Sequence, residues 1–119
     1  MVRSYTDLIV WQRAMELVVE IYDIVRKLPK EEIYALSDQM RRAAISIPSN
    51  IAEGQARNTT REFVSFLSIA KGSDAELHTQ LLICQRLQYI TQENILKAST
   101  LSEEVAKMIV SMLQKLTSN

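Results

Sequence analysis

The sequence predicts an all-α protein, an up-and-down antiparallel four-helix bundle spanning residues 1–119 as one domain. Three observations carry that reading. Two glycines and two prolines in 119 residues are too few turn-formers for a sheet protein with many hairpins. Four long stretches repeat their apolar residues every three or four positions, the period of an amphipathic helix. A hydrophobic content of 47% fills one core without disulfide or metal.

The first helix is expected over about residues 6–28 and ends at Pro29. Leu8, Trp11, Met15, Val18, Tyr22 and Val25 alternate steps of three and four and form its expected inward seam. Leu17, Ile21, Ile24 and Leu28 form a second stripe about 100° further round the helix. A bundle interior needs one stripe. The second therefore reads as an oligomer interface, because large exposed apolar patches mark contacts between chains. The alternative is a first helix sunk deeply between its neighbours.

The charged linker from Pro29 to Tyr34 is short, which favours an antiparallel second helix, expected over about 35–56. Met40, Ala43 or Ala44, Ile47 and Ile51 give it an apolar stripe. Pro48 lies inside it, removing one backbone hydrogen bond and bending the rod. Gly54 and the polar run from Gln55 to Thr60 end it, and Thr59 with Glu62 has the spacing of a capping box. The third helix, about 60–89, keeps its apolar period through Gly72, which suggests close helix packing there. The fourth, about 92–116, carries Ile95, Leu101, Val105, Met108, Met112 and Leu116, with an irregularity possible between Ser99 and Ser102.

Composition narrows the function. Fourteen basic and fourteen acidic side chains cancel, so the chain lacks the overall positive field of a generic nucleic-acid binder. The segment 40–72 is the exception, with five basic groups against two acidic. A lone Cys84 forms no intramolecular bridge, and no apolar run resembles a signal peptide or reaches membrane-spanning length. A cytoplasmic protein without a membrane partner is expected.

Chemistry-bearing patterns are sparse. His78 and Cys84 are six residues apart, on different sides of a helix, and Asp74 and Glu76 add too few ligands for a metal site. The duplicated Glu-x-x-His pattern of di-iron bundles, a phosphate-cradling glycine loop and a dinucleotide fingerprint are missing. No catalytic residue, metal or cofactor is assigned, and the chain is not expected to be an enzyme. The polar row Gln39, Arg42, Ser46, Asn50, Glu53 and Arg57 occupies one face of the second helix. Arg41, Arg42, Arg57, Arg61 and Lys71, with Ser46 and Asn50 between them, form a candidate nucleic-acid-binding set that contacts phosphates through charged forks and neutral donors. Glu53 would orient an arginine or lie at a subunit interface. The plainer reading is surface pairing of Asp38 with Arg42 and of Glu53 with Arg57. Trp11, Tyr22, Phe63 and Phe66 fall on apolar seams, so base stacking is not indicated.

Several blocks together carry a resemblance: Asp7-Leu-Ile-Val-Trp-Gln12, Pro29, the run from Gln39 through Arg41-Arg-Ala-Ala-Ile-Ser-Ile-Pro-Ser-Asn-Ile-Ala-Glu-Gly54, Glu62-Phe, Phe66-Leu, and Ala70-Lys-Gly-Ser-Asp-Ala-Glu-Leu77. With these blocks the chain resembles the bacterial four helix bundle proteins encoded in intervening sequences of large-subunit ribosomal RNA genes. The resemblance implies a cytosolic bundle and a homopentameric ring. Similar accessory proteins of diversity-generating retroelements imply contact with nucleic acid and a nucleic-acid-processing protein. The expectation is a noncatalytic homo-oligomeric module for structured RNA or a ribonucleoprotein partner. The alternative is a structural adaptor ring with no nucleic-acid ligand.

Overall fold

A computed structural model describes residues 4–118 and contains, among them, four long helices and no strand. They are α1 (Ile9–Val25), α2 (Leu36–Gln55), α3 (Thr60–Arg86) and α4 (Gln92–Thr117). Single 3₁₀ turns precede α1 (Tyr5–Asp7) and α2 (Lys30–Glu32). Each helix packs against its neighbours in the chain, α1 also packs against α4, and the backbones of the diagonal pairs stay more than 8 Å apart between α-carbons. The result is a four-cornered rod of 46 × 23 × 20 Å. Cross-helix bonds fix the directions: Arg13 and Glu20 of α1 meet Glu104 and Lys97 of α4, and Met40 and Ser46 of α2 meet Cys84 and Ser73 of α3. In both pairs one number rises as the other falls, which is the antiparallel relation.

Helix ends follow the local chemistry. The Thr59 hydroxyl accepts from the Glu62 amide at 3.1 Å and caps α3, as the spacing predicts, although the Glu62 carboxylate returns to the hydroxyl rather than to the Thr59 amide. Thr91 caps α4 in the same way through the Asn94 amide. The first helix is shorter than expected. A Ser4-capped 3₁₀ turn takes its first residues, and its end at Val25 leaves Leu28 buried in the linker. Pro48 sits within an unbroken α2, and α4 runs through Ser99 to Ser102 without interruption.

The largest correction concerns α1. Leu17, Ile21, Ile24 and Leu28, expected at an oligomer interface, are 0%, 0%, 2% and 8% exposed in the single chain. With Val10 and Ala14 they form the face that fills the bundle interior. The stripe expected to point inward is only partly covered: Trp11, Val18 and Tyr22 are half-buried and Met15 is exposed. The charges are consistent with the displacement. Arg13 and Glu20 pair with α4, so the charged side of α1 flanks the buried face instead of standing opposite it. α1 is thus rotated by about one residue position, about 100°, from the expected orientation.

Gly72 is the second correction. It is exposed, and a β-carbon there would meet no atom within 4 Å. The close approach lies at Gly54, where a β-carbon would stand 2.7 Å from Phe66 Cβ.

Candidate functional site

The polar row of α2 divides into groups with different work. Ser46 shares a 2.7 Å hydrogen bond with the Ser73 hydroxyl of α3, and Asn50 Nδ2 donates to the Ser46 carbonyl and hydroxyl at 2.8 and 2.9 Å. Both are half-buried at the α2–α3 seam, so these two candidate ligand contacts are committed to holding helices together. The arginines stay outside. Arg42 donates to Asp38 at 3.0 Å with its side chain 80% exposed, and Arg41 reaches toward Asp38 and the Ile33 carbonyl. Arg57 pairs with Glu53 at 3.0 Å, lies 3.8 Å from Glu62, and stacks its guanidinium 4.8 Å from the centre of the Phe66 ring. Glu53 thus forms an exposed pair with Arg57 within the single chain. Exposed pairs of this kind contribute only about 0.3 to 0.5 kcal/mol each, so they leave the guanidiniums available.

Arg61 and Lys71 are exposed and have no acidic partner among the described residues. Arg42 and Arg57 are fifteen residues apart, about 22 Å at the rise of a helix. The structure therefore places Arg41 and Arg42 toward one end of α2, and Arg57 and Arg61 at the turn into α3. Lys71 lines the groove between α3 and α4. The cations are strung along the rod, not gathered in one pocket.

One polar pair escaped the sequence reading. Asp74 is 3% exposed and accepts a hydrogen bond from the Ser102 hydroxyl at 2.9 Å, joining α3 to α4. The signal was present. The apolar register Leu67, Ala70, Leu77, Leu81 requires an inward residue between Ala70 and Leu77, and Asp74 fills it. Burial pushes its carboxyl up to about 6, against the smaller lowering influence of the Ser102 bond and of His78. The folded state then binds a proton more tightly than the unfolded chain, so stability falls as pH rises from about 4 to about 6. We expect this group alone to make the protein more stable at pH 4.5 than at pH 7.5, by an amount on the order of 2 kcal/mol, and Asp74→Asn to flatten that dependence. Urea melts of both proteins at the two pH values measure it.

Elsewhere the chemistry is quiet. Cys84 is fully buried against Met40, and burial pushes its thiol up to about 11, leaving it protonated near neutrality. No group of three His, Cys, Asp or Glu among the described residues is placed to hold a metal ion. No described helix is long and apolar enough to cross a membrane.

Fold and surface together define a class: an antiparallel four-helix bundle with an external row of arginines and a small buried polar link between its last two helices. A family model described as 23S rRNA-intervening sequence protein matches residues 6–111. The chain belongs to that family. Among solved structures it is similar to a protein of unknown function from the S23 ribosomal protein family of Bacteroides thetaiotaomicron VPI-5482, with a TM-score of 0.83 and 26% identity over 89% of this chain and 99% of that one. No curated protein matches it.

Proposed function

We propose that the chain is a noncatalytic binding module of the bacterial cytoplasm that assembles with copies of itself, as a pentamer by family resemblance, and engages structured RNA or a ribonucleoprotein partner. The carrying observation is the arginine row. Arg42, Arg57 and Arg61 project from one rod, held by weak exposed pairs or by none. Repetition around a ring would concentrate a field that the neutral total conceals, and weak contacts on a rigid scaffold add through effective concentration.

Assembly draws support from surface that the single chain does not use. Val19 is 68% exposed, Ile69 52% and Leu82 45%, and Met15 is exposed beside Val19. Exposed Gly72 costs α3 about 1 kcal/mol relative to alanine, and nothing within the chain repays it. A neighbouring copy lying across α3 would. Gly72→Leu should then lower the mass of the assembly by size-exclusion chromatography with light scattering, while circular dichroism stays unchanged. An unaltered mass removes α3 from the interface.

For the ligand, the triple replacement of Arg42, Arg57 and Arg61 by Ala should abolish salt-sensitive retention of structured RNA and leave the oligomeric mass intact. Each lost phosphate contact lowers the slope of log affinity against log salt by about 1. Unchanged retention refutes RNA binding through this row. In the adaptor reading the same row lies inside a subunit interface, and Arg42 and Arg57 exchange the acids of their own chain for acids of a neighbouring copy. Joint replacement of Arg42 and Glu53 by Ala separates the two, since dissociation of the assembly is expected only if the row is itself an interface.

A further inference from the structure

We infer that the pocket between the end of α1 and the first turn of α2 binds the terminal phosphate of a nucleotide, a phosphate monoester carried by a nucleoside monophosphate or by the end of an RNA strand. The pocket has a volume of about 240 Å³. Arg26, Lys30 and Arg41 bring three cations to it, Val25, Leu28 and Ile33 bring apolar surface, and no acid lines it. Ser37 is its one neutral polar residue. The pocket shares only Arg41 with the candidate nucleic-acid set, and the triple arginine variant above leaves Arg41 in place.

Ser37 is the reason to expect a ligand. It is 2% exposed, yet its hydroxyl has no partner among the described residues and is not sealed from solvent. The little of Ser37 that is open lies on the pocket. Its amide, in the first turn of α2, also lacks an acceptor among the described residues. Nearly all buried polar groups in a folded chain are bonded, so two idle donors on one buried residue mark a place for an acceptor from outside. The first turn of a helix is also where the backbone dipole favours an anion.

The cations call for the same charge. Lys30 has no acidic partner among the described residues. Arg26 pairs with Asp23 at 3.3 Å with both side chains largely exposed, and Arg41 lies 4.0 Å from Asp38 while donating to the Ile33 carbonyl at 3.5 Å. Neither acid lines the pocket, and pairs this exposed or this long contribute little and yield to a better acceptor. Three cations around one small cavity repel one another. A phosphate monoester, with about 1.5 to 2 negative charges at neutral pH, relieves that repulsion and accepts from several of them at once.

Size and walls specify the rest of the ligand. The volume lies below the roughly 300 to 1,000 Å³ of sites that enclose a whole drug-sized molecule, so the pocket takes one end of something larger. Val25 and Leu28 are buried and Ile33 is partly open, giving carbon surface to an organic substituent that inorganic phosphate lacks. Tyr34 follows Ile33 in the chain and is 95% exposed, an aromatic ring open to a stacked base.

The test is calorimetric titration of the full-length protein, at constant ionic strength, with adenosine 5′-monophosphate, adenosine and inorganic phosphate. The monophosphate should saturate one site per chain, adenosine should not bind, and inorganic phosphate should bind at least about fivefold more weakly. Joint replacement of Arg26 and Lys30 by Ala should weaken the monophosphate at least about tenfold, as should Ser37→Ala. Tyr34→Ala should weaken it about fivefold or more and leave inorganic phosphate unchanged. Arg26, Lys30 and Tyr34 are exposed, so their variants keep the fold even if Ser37→Ala disturbs α2. A short RNA with a 5′-phosphate, compared with the same RNA ending in a 5′-hydroxyl, identifies the source. Binding of the phosphorylated strand at least as tight as that of the monophosphate assigns the pocket to strand ends, and weaker binding assigns it to free nucleotides. No saturation by the monophosphate up to about 10 mM overturns the proposal, as does adenosine or inorganic phosphate matching it, or unchanged affinity in the Arg26 and Lys30 variant or in Tyr34→Ala. Replacing Arg42, Arg57 and Arg61 should leave monophosphate binding unchanged, so failure of the RNA reading and failure of this site are told apart.

Discussion

Ile21→Ala is expected to lower the unfolding free energy by about 2 to 5 kcal/mol, the largest effect anticipated for a single truncation in this chain. Ile21 is fully enclosed within one subunit, at the centre of the α1 face built by Val10, Ala14, Leu17, Ile24 and Leu28. Removing three carbon atoms there loses their transfer free energy and leaves a cavity that four rigid helices close poorly. Val19 provides the contrast. It lies two residues away and is 68% exposed, so Val19→Ala should stay within about 0.5 kcal/mol in the separated subunit. Chemical denaturation at several protein concentrations measures both, and the concentration series separates subunit stability from assembly. A small Ile21 effect combined with a loss of oligomeric mass would mean that this stripe faces another copy after all.

Gly54→Ala should destabilise the bundle by about 1 to 3 kcal/mol even though alanine is the better helix former by about 1 kcal/mol. Its new β-carbon would stand 2.7 Å from Phe66 Cβ and 3.0 Å from Phe63 Cδ1. Phe66 Cβ is fixed to the α3 backbone and has no rotamer that moves it away, so the helices themselves must part. Parting them would also shift the Phe66 ring under the Arg57 guanidinium. Gly54→Leu should cost more. A neutral Gly54→Ala would mean that the α2–α3 turn opens without loss.

Four helices, their limits to within a few residues and the inward stripe of α2 were legible in the sequence because they depend on period, capping residues and turn-formers, which are local. Met40, Ile47 and Ile51 are buried as their spacing requires, and Thr59 caps α3. The arginine row was legible as composition but not as geometry. Side chains fifteen residues apart share a face without sharing a pocket. Ser46 and Asn50 belong to the row by spacing, yet bond across and within the α2–α3 seam, because a polar residue at the edge of a helix face meets its neighbour before it meets solvent.

What the sequence determined by itself was the class of fold and the places where charge accumulates. Tertiary structure alone decided which of two adjacent apolar stripes of α1 is the core, which glycine meets another helix, and that Ser102 is the partner of the inward-facing Asp74. The physical reason is common to all three. Periodicity sets how side chains are distributed around one helix axis, whereas burial depends on where the neighbouring helices lie, and α1 settles with Leu17, Ile21 and Ile24 inward and with Arg13 and Glu20 beside Glu104 and Lys97 of α4.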